Sequence, residues 1–117
     1  MRMWMVDPRI LCRKHLLGEH LETHMFWGII KKKCVSSLKG YVENNLLEIK
    51  SLKKRHDELV REMENRNYHH NTPMEVLEEN EIENIRQIEI DKEASLKELL
   101  KRCNECNKRY MRLVQGE

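Results

Sequence analysis

The sequence predicts an all-α protein, a compact single domain of three to four helices in which the N-terminal helix is the longest. Charged residues make up 36% of the 117 residues and hydrophobic residues 39%, with four Gly and two Pro. That balance, rich in Glu, Lys and Leu, is typical of helices with solvated faces. A chain of this length can bury one modest core, which predicts a single domain over residues 1–117.

The first helix is predicted from Asp7-Pro8, where a capping residue precedes a proline in the first turn, to about Ser36-Ser37. One face of this helix is apolar and carries Leu17, Leu21 and Met25. A polar row lies beside that face, because positions i, i+4 and i+7 fall together; it consists of His15, Glu19 and Glu22. Side chains of these types are usually exposed, so this segment alone favours a solvated face over a functional one.

The second helix, about Tyr41 to Arg66, has the clearest periodicity in the chain. Its apolar stripe recurs at steps of four and three residues, and it consists of Val42, Leu46, Ile49, Lys53, His56, Val60 and Met63, widened by Leu52 and Leu59. The other faces are almost entirely charged.

The remainder of the chain begins with a polar loop, Asn67-Tyr68-His69-His70-Asn71. Thr72-Pro73-Met74-Glu75 then matches a capping box with proline at the first helical position, which predicts a short acidic segment through Glu83. A last helix is predicted from Asp91 to about Leu113, with Cys103 and Cys106 on its apolar stripe.

Basic charge concentrates in the first part of the chain. Residues 1–70 hold 14 Lys and Arg against 9 Asp and Glu, whereas residues 71–117 hold 8 against 11. A basic helical half is compatible with a phosphate-facing surface, although solvated lysines are common on helical proteins. No apolar run approaches the roughly 20 residues that span a bilayer, and the start MRMWMVDPR lacks the apolar stretch of a secretory signal. We therefore expect a cytoplasmic protein without a membrane partner.

The four cysteines are Cys12, Cys34, Cys103 and Cys106, and in a reducing compartment we expect thiols or metal ligands rather than disulfides. The CxxC formed by Cys103 and Cys106 is compatible with a metal clip or a redox pair. Because both cysteines fall on an apolar stripe, core packing is the favoured interpretation.

His20 and His24 lie one helical turn apart, which is a metal-ligand spacing. The segment is not the zincin motif, because Leu21 rather than a glutamate follows His20. Such a pair without a third ligand is more often incidental, and the possible helpers His56, His69 and His70 are distant in sequence. We therefore predict a protein with no metal and no cofactor.

The start of the chain offers a nucleophile. α-Amino groups have pKa values of about 8, well below lysine, so a useful fraction is neutral at physiological pH. Arg2 is too bulky for the usual removal of an initiator methionine, so we expect Met1 to be the exposed terminus. A free amine near a carboxylate is what imine chemistry at a sugar C1′ requires.

Several stretches together resemble the pyrimidine-dimer DNA glycosylase family. Met1-Arg2 and His15-Leu16-Leu17-Gly18-Glu19-His20-Leu21-Glu22 resemble that family's terminal amine with an adjacent arginine and its helix histidine and glutamate. The likeness continues through Phe26-Trp27-Gly28-Ile29-Ile30-Lys31-Lys32. It returns at Lys54-Arg55-His56-Asp57-Glu58-Leu59-Val60-Arg61-Glu62-Met63 and ends at Arg66-Asn67-Tyr68, covering roughly the first 70 residues.

The resemblance implies a bifunctional DNA glycosylase and abasic-site lyase on a compact helical fold, with the active site on the long N-terminal helix. Met1 would be the nucleophile and Glu22 the acid/base catalyst, acting on damaged double-stranded DNA. We expect a monomer. The residues expected to contact the DNA or substrate are Arg2, His15, Glu19, Lys32, Lys54, Arg55, His69 and His70.

Two rival functions stay open at this point. One is a non-catalytic helical DNA-binding or interaction protein on the same scaffold, which would bind duplexes in a salt-sensitive way without turnover. The other is a small helical metal-binding protein that uses Cys103 and Cys106.

Overall fold

In a computed structural model, which describes residues 1–70 and 72–116, six α-helices and three short 3-10 turns pack around two adjoining hydrophobic clusters. The helices are α1 (Arg13–Lys31), α2 (Lys39–Glu43), α3 (Leu52–Asn65), α4 (Glu79–Ile82), α5 (Lys92–Arg102) and α6 (Asn104–Val114). The 3-10 turns are Pro8–Ile10, Val35–Leu38 and Ile49–Ser51. Four helices have at least 11 residues, and α1 is the longest at 19, which confirms the all-α prediction. Asn71, placed above in a polar loop, and Glu117, at the end of the domain, lie outside the described residues.

The first two predicted helices have different boundaries in the structure. The capping residue Asp7 and the proline after it begin the 3-10 turn Pro8–Ile10, whereas α1 begins at Arg13. The predicted second helix is split into α2 and α3, because Asn45 adopts a left-handed φ of 61°. Its side chain donates to Glu89 O at 3.0 Å and accepts from Asp91 N–H at 2.7 Å. These contacts with a distant segment hold the chain in the break and outweigh the local periodicity.

The helix predicted to begin at Thr72 is also wrong, because α4 begins only at Glu79. The true capping box uses Glu78 and Glu81, and the Glu78 N–H donates to Glu81 Oε1 at 2.9 Å. Residues 72–78 form no helix, and their contacts with the rest of the protein include the Met74 side chain, which is buried in the first core cluster, and Glu75 O, which accepts from the Trp27 indole at 3.0 Å.

The core consists of two clusters that meet at the N-terminal segment. The first contains Met3, Phe26, Ile30, Leu38, Val42, Leu47, Ile49, Leu52, Met74, Ile85 and Ile90. The second contains Trp4, Val6, Ile10, Leu11, Leu16, Leu59, Met63, Leu99 and Cys106. Helices α1 and α3 pack against each other and supply side chains to both clusters. In the ranges 1–70 and 72–116, no helix has both the length and the apolar character that crossing a bilayer requires.

Candidate active site

The irregular N-terminal segment, residues 1–7, runs through the interior rather than over the surface. The Met3 N–H donates to Leu46 O at 2.8 Å, which ties the segment to the chain after α2. The Met3 side chain is fully buried in the first cluster, and Trp4 is buried in the second. Anchoring on both clusters fixes the position of the chain's first nitrogen.

That nitrogen lies beside a carboxylate of α1. The Met1 nitrogen is 3.9 Å from Glu22 Oε1, and the two side chains are 15% and 26% exposed. Burial raises the pKa of the Glu22 carboxyl above its ordinary value, against the opposing effects of the Met1 ammonium and the Arg2 backbone amide. A carboxyl whose pKa is raised toward neutrality can both accept and return a proton, which suits general acid–base work.

The amine and the carboxylate share a cleft of about 440 Å³, lined by Met1, Arg2, Trp4, Lys14, His15, Gly18, Glu19, Glu22, Leu46 and Arg102. Its basic side chains surround an indole: the Arg2 guanidinium carbon is 3.8 Å from the centroid of the Trp4 ring, and that of Arg102 is 5.5 Å from it. Arg2 also donates through Nη2 to Ser95 Oγ at 2.9 Å. With Lys14 exposed at the edge, the lining holds three basic side chains, Arg2, Lys14 and Arg102, and two carboxylates, Glu19 and Glu22.

His15 lines this cleft and also belongs to a sulfur-rich cluster. Its ring stands edge-on to Trp4 with centroids 5.8 Å apart. Its Nδ1 atom is 3.2 Å from Cys12 Sγ and 3.6 Å from Cys106 Sγ. The same imidazole therefore connects the cleft wall to the cysteines.

Glu19 is not on a solvated face, which corrects the interpretation favoured by the residue types. The carboxylate is fully buried and accepts two hydrogen bonds from Arg55, from Nε at 2.6 Å and from Nη2 at 2.9 Å. Arg55 is itself 2% exposed and donates through Nη1 to Val6 O at 2.6 Å. Arg55 thus joins α3 to α1 and to the N-terminal segment, and it is not placed to meet DNA at the surface.

The other side chains expected at DNA lie away from the cleft lining. Lys32 follows the end of α1, Lys54 lies on α3, and His69 follows α3; all three are exposed. His70, by contrast, packs in a group of imidazoles with His20.

That group brings together four histidines whose nitrogen ligand atoms all lie within 4.8 Å of one another: His20, His24, His56 and His70. His24 Nε2 and His56 Nε2 are 3.1 Å apart, and His56 Nδ1 is 2.9 Å from Asp57 Oδ1. Burial and the neighbouring imidazoles lower the pKa of His20 to about 4. The i, i+4 pair on α1 was visible in the sequence, where His56, His69 and His70 were named as distant helpers; the fold brings His56 and His70 to the pair, whereas His69 is outside the group.

A second group unites Cys12, His15, Cys103 and Cys106, whose ligand atoms also lie within 4.8 Å of one another. It coincides with a break in the predicted last helix: α5 ends at Arg102, α6 begins at Asn104, and Cys103 has an extended backbone (φ −127°, ψ 111°). Cys106 is buried in the second cluster, as core packing predicts, but Cys103 and Cys12 are only partly buried. Core packing therefore accounts for one of these sulfurs and not for their convergence.

Sequence reasoning missed several cleft residues. Trp4 carried no motif of its own, and Arg102 lies about 80 residues beyond α1's Glu22 in a part of the chain without the resemblance. Lys14 was visible only as one of many basic residues. No local pattern singles out Arg102 among the basic residues of the predicted last helix.

In a comparison with known protein families, the family model described as pyrimidine dimer DNA glycosylase matches residues 1–76. The curated proteins and the solved structures give no match. The matched range contains the N-terminal segment, α1 and α3, but neither α5 nor α6.

Proposed function

Since this chain belongs to the pyrimidine dimer DNA glycosylase family, we propose that it is a DNA N-glycosylase and abasic-site lyase that uses the Met1 α-amine as nucleophile and Glu22 as acid/base catalyst. The observation that carries the proposal is the 3.9 Å separation between the Met1 nitrogen and Glu22 Oε1 inside the cleft. Imine chemistry at C1′ needs a free amine and a proton carrier within reach of each other.

The reaction passes through one covalent bond between the protein and the sugar, which forms in the first step and is hydrolysed in the last. The neutral Met1 nitrogen forms a bond to C1′, and the glycosidic bond breaks as the base leaves with its electron pair and takes a proton. Opening of the C1′–O4′ bond then gives an imine between Met1 and the sugar. Loss of a proton from C2′ expels the 3′ phosphate and nicks the strand, and water finally hydrolyses the imine. Glu22 is the group positioned to accept the ammonium proton and to move protons at the sugar.

The other cleft residues supply binding and electrostatics. Arg2, Lys14 and Arg102 present positive charge where phosphates flank a reacting nucleotide. The buried Trp4 ring packs against the guanidinium groups of Arg2 and Arg102 and supports them at the cleft. Extruding a nucleotide costs a few kcal/mol, least where the base is damaged. A buried guanidinium–carboxylate pair, Arg55–Glu19, holds the segment that carries Met1.

A non-catalytic DNA-binding protein would need the basic rim but not the half-buried acid beside the terminal nitrogen. Burial raises the pKa of Glu22, so the ionised side chain is kept there against its preference for water. Scaffold function alone gives no reason for that arrangement, whereas proton transfer does.

The test is borohydride trapping on duplexes that carry either an abasic site or a cyclobutane pyrimidine dimer. We expect a covalent protein–DNA adduct that maps to residue 1, with strand cleavage when borohydride is omitted. Glu22→Gln should bind the duplex and lose cleavage, whereas Glu64→Gln, an exposed acid on α3, should behave as the wild type. Adduct on the abasic duplex alone would limit the activity to a lyase.

Two results would contradict the proposal. One is the absence of any adduct from protein whose intact mass shows an unblocked Met1. The other is undiminished cleavage by a folded variant in which two additional residues precede Met1, because that extension removes the amine from the neighbourhood of Glu22.

A further inference from the structure

Two short ligand-type pairs meet at the junction of α1, α5 and α6. Cys12 and His15 are separated by two residues, as are Cys103 and Cys106. The pairs lie 91 residues apart in sequence, yet their four ligand atoms are all within 4.8 Å of one another. Cys-x2-His combined with Cys-x2-Cys is a spacing that structural zinc sites use.

The separations between the ligand atoms match the edges of a small tetrahedron. Zn–S bonds of about 2.3 Å and Zn–N bonds of about 2.0–2.1 Å give edges of about 3.8 Å between sulfurs and about 3.5 Å between sulfur and nitrogen. Cys12 Sγ and Cys103 Sγ are 3.8 Å apart. His15 Nδ1 is 3.2 Å from Cys12 Sγ and 3.6 Å from Cys106 Sγ. Three of the six separations therefore match such edges closely, and the other pairs lie within 4.8 Å.

The backbone is arranged for sulfur ligands as well. The Cys12 N–H donates to Cys106 Sγ at 3.2 Å, and the Cys106 N–H donates to Cys103 Sγ at 3.4 Å. Amide donors to sulfur stabilise thiolates, the form that binds metal. The extended backbone of Cys103, between two helices that would otherwise be continuous, turns its sulfur toward Cys12.

We propose that Cys12, His15, Cys103 and Cys106 bind one structural zinc ion. Four protein ligands complete a tetrahedral coordination, so the site is closed and the ion has no open position for catalysis. The ion fastens α5 and α6, which lie beyond the range of the family match, to the start of α1. It also fixes His15 in the cleft wall and sets Arg102, next to Cys103, at the cleft.

Cobalt and thiol chemistry test this site without any activity assay. Cobalt(II) added to the metal-free protein should produce a thiolate-to-metal charge-transfer band, and zinc should displace it. In the zinc-loaded protein a thiol reagent should react quickly with Cys34 alone, which is exposed, and after chelation also with the partly buried Cys12 and Cys103. Cys34→Ser is the matched control and should retain the cobalt band.

Three results would overturn the zinc site. They are a missing charge-transfer band, the same thiol reactivity before and after chelation, and recovery of zinc-supplemented protein with a disulfide among these cysteines. All three measurements are made on the wild-type chain, so the conclusion does not depend on whether a Cys103→Ser/Cys106→Ser variant folds.

The four-histidine group carries a second metal proposal on separate observations. His20 Nε2 and His70 Nε2 are buried and have no hydrogen-bond partner among the described residues. His24 Nε2 lies 3.1 Å from His56 Nε2, close to the edge of about 3.3 Å expected between two imidazole nitrogens on one zinc ion. Four imidazoles whose ligand atoms lie within 4.8 Å match the coordination number and ligand type of a tetrahedral transition-metal site.

A carboxylate completes this second arrangement. His56 Nδ1 is 2.9 Å from Asp57 Oδ1, the contact through which a carboxylate orients a metal-bound imidazole and makes it a better ligand. We infer that these four histidines bind a second zinc ion, which would join α1 to α3 and to the chain that follows α3.

Elemental analysis after zinc loading and desalting separates the two sites. The wild type should hold two zinc ions per chain. Each of two double variants, Cys103→Ser/Cys106→Ser and His20→Asn/His24→Gln, should hold one. Of these two double variants, only the histidine variant should retain the cobalt charge-transfer band. His69→Gln, an exposed neighbour outside the group, should still hold two. One zinc ion in the wild type, or full occupancy in the folded histidine variant, would overturn the second site.

Discussion

Replacing Arg55 by methionine should strongly destabilise the fold. The substitution retains an apolar stem but removes the two hydrogen bonds to Glu19 and the one to Val6 O. A fully buried carboxylate is then left without its counter-charge. Removing one partner of a buried ion pair costs about 3–5 kcal/mol, far more than the pair itself contributes over an apolar replacement. The loss is a large share of the total stability of a domain of this size.

Urea denaturation measures this loss. With an m-value of about 2 kcal/mol/M, Arg55→Met should lower the midpoint by about 2 M at constant slope, with zinc saturating in both proteins. Lys54→Met on the adjacent, exposed position is the matched control and should change stability by less than about 0.5 kcal/mol. The double variant Glu19→Leu/Arg55→Met should recover part of the loss, because neither charge is then buried alone.

The reasoning would be refuted by an Arg55→Met loss below about 1 kcal/mol, or by additive losses in the double variant. Weaker DNA binding with unchanged stability would restore the direct DNA contact predicted from the sequence. The same variant should also lower borohydride trapping on an abasic duplex, because Val6 lies in the segment that holds the Met1 amine.

Three further outcomes are expected. Burial raises the pKa of Glu22, so the protonated carboxyl stabilises the fold at pH values below its ordinary pKa, and this contribution is lost as pH rises. The Tm of Glu22→Gln should therefore match that of the wild type near pH 4 and exceed it increasingly toward pH 7. A constant difference in Tm across that range would contradict the shift. Glu48→Ala should cost about 2 kcal/mol in chemical denaturation, because the buried Ile90 N–H, 2.7 Å from Glu48 Oε1, loses its acceptor; a loss below about 0.5 kcal/mol would show that this bond is dispensable. Arg102→Ala should weaken duplex binding and reduce the slope of log K against log salt by about 1, and an unchanged slope would place Arg102 away from phosphate.

Local signals predicted those parts of the fold that local interactions control. The stripe on α3 is buried at Leu52, Leu59 and Met63, as its spacing predicts. The breaks at Asn45 and Cys103 escaped prediction because their partners lie more than 40 residues away, at Glu89 and Cys12. No periodicity within a helix reports such contacts.

The same distinction between local and long-range contacts applies to the candidate site. Glu22, His15 and the terminal amine were identified from a resemblance, and the cleft brings all three together. Glu19 was misjudged because exposure statistics describe single residues, whereas its burial depends on an arginine 36 positions later. Both metal-ligand groups required tertiary structure, since each draws half of its members from another part of the chain.

The interior position of residues 1–7 couples the placement of the terminal amine to global folding. Chain termini usually fray at little free-energy cost, but here opening the terminus would remove Met3 from one hydrophobic cluster and Trp4 from the other. The Met3 amide, bonded to Leu46 O, should therefore exchange its hydrogen at a rate close to that of whole-molecule unfolding. A chain that has lost this protection has also displaced its first nitrogen, so under the proposed mechanism we expect partly unfolded molecules to cleave no strand.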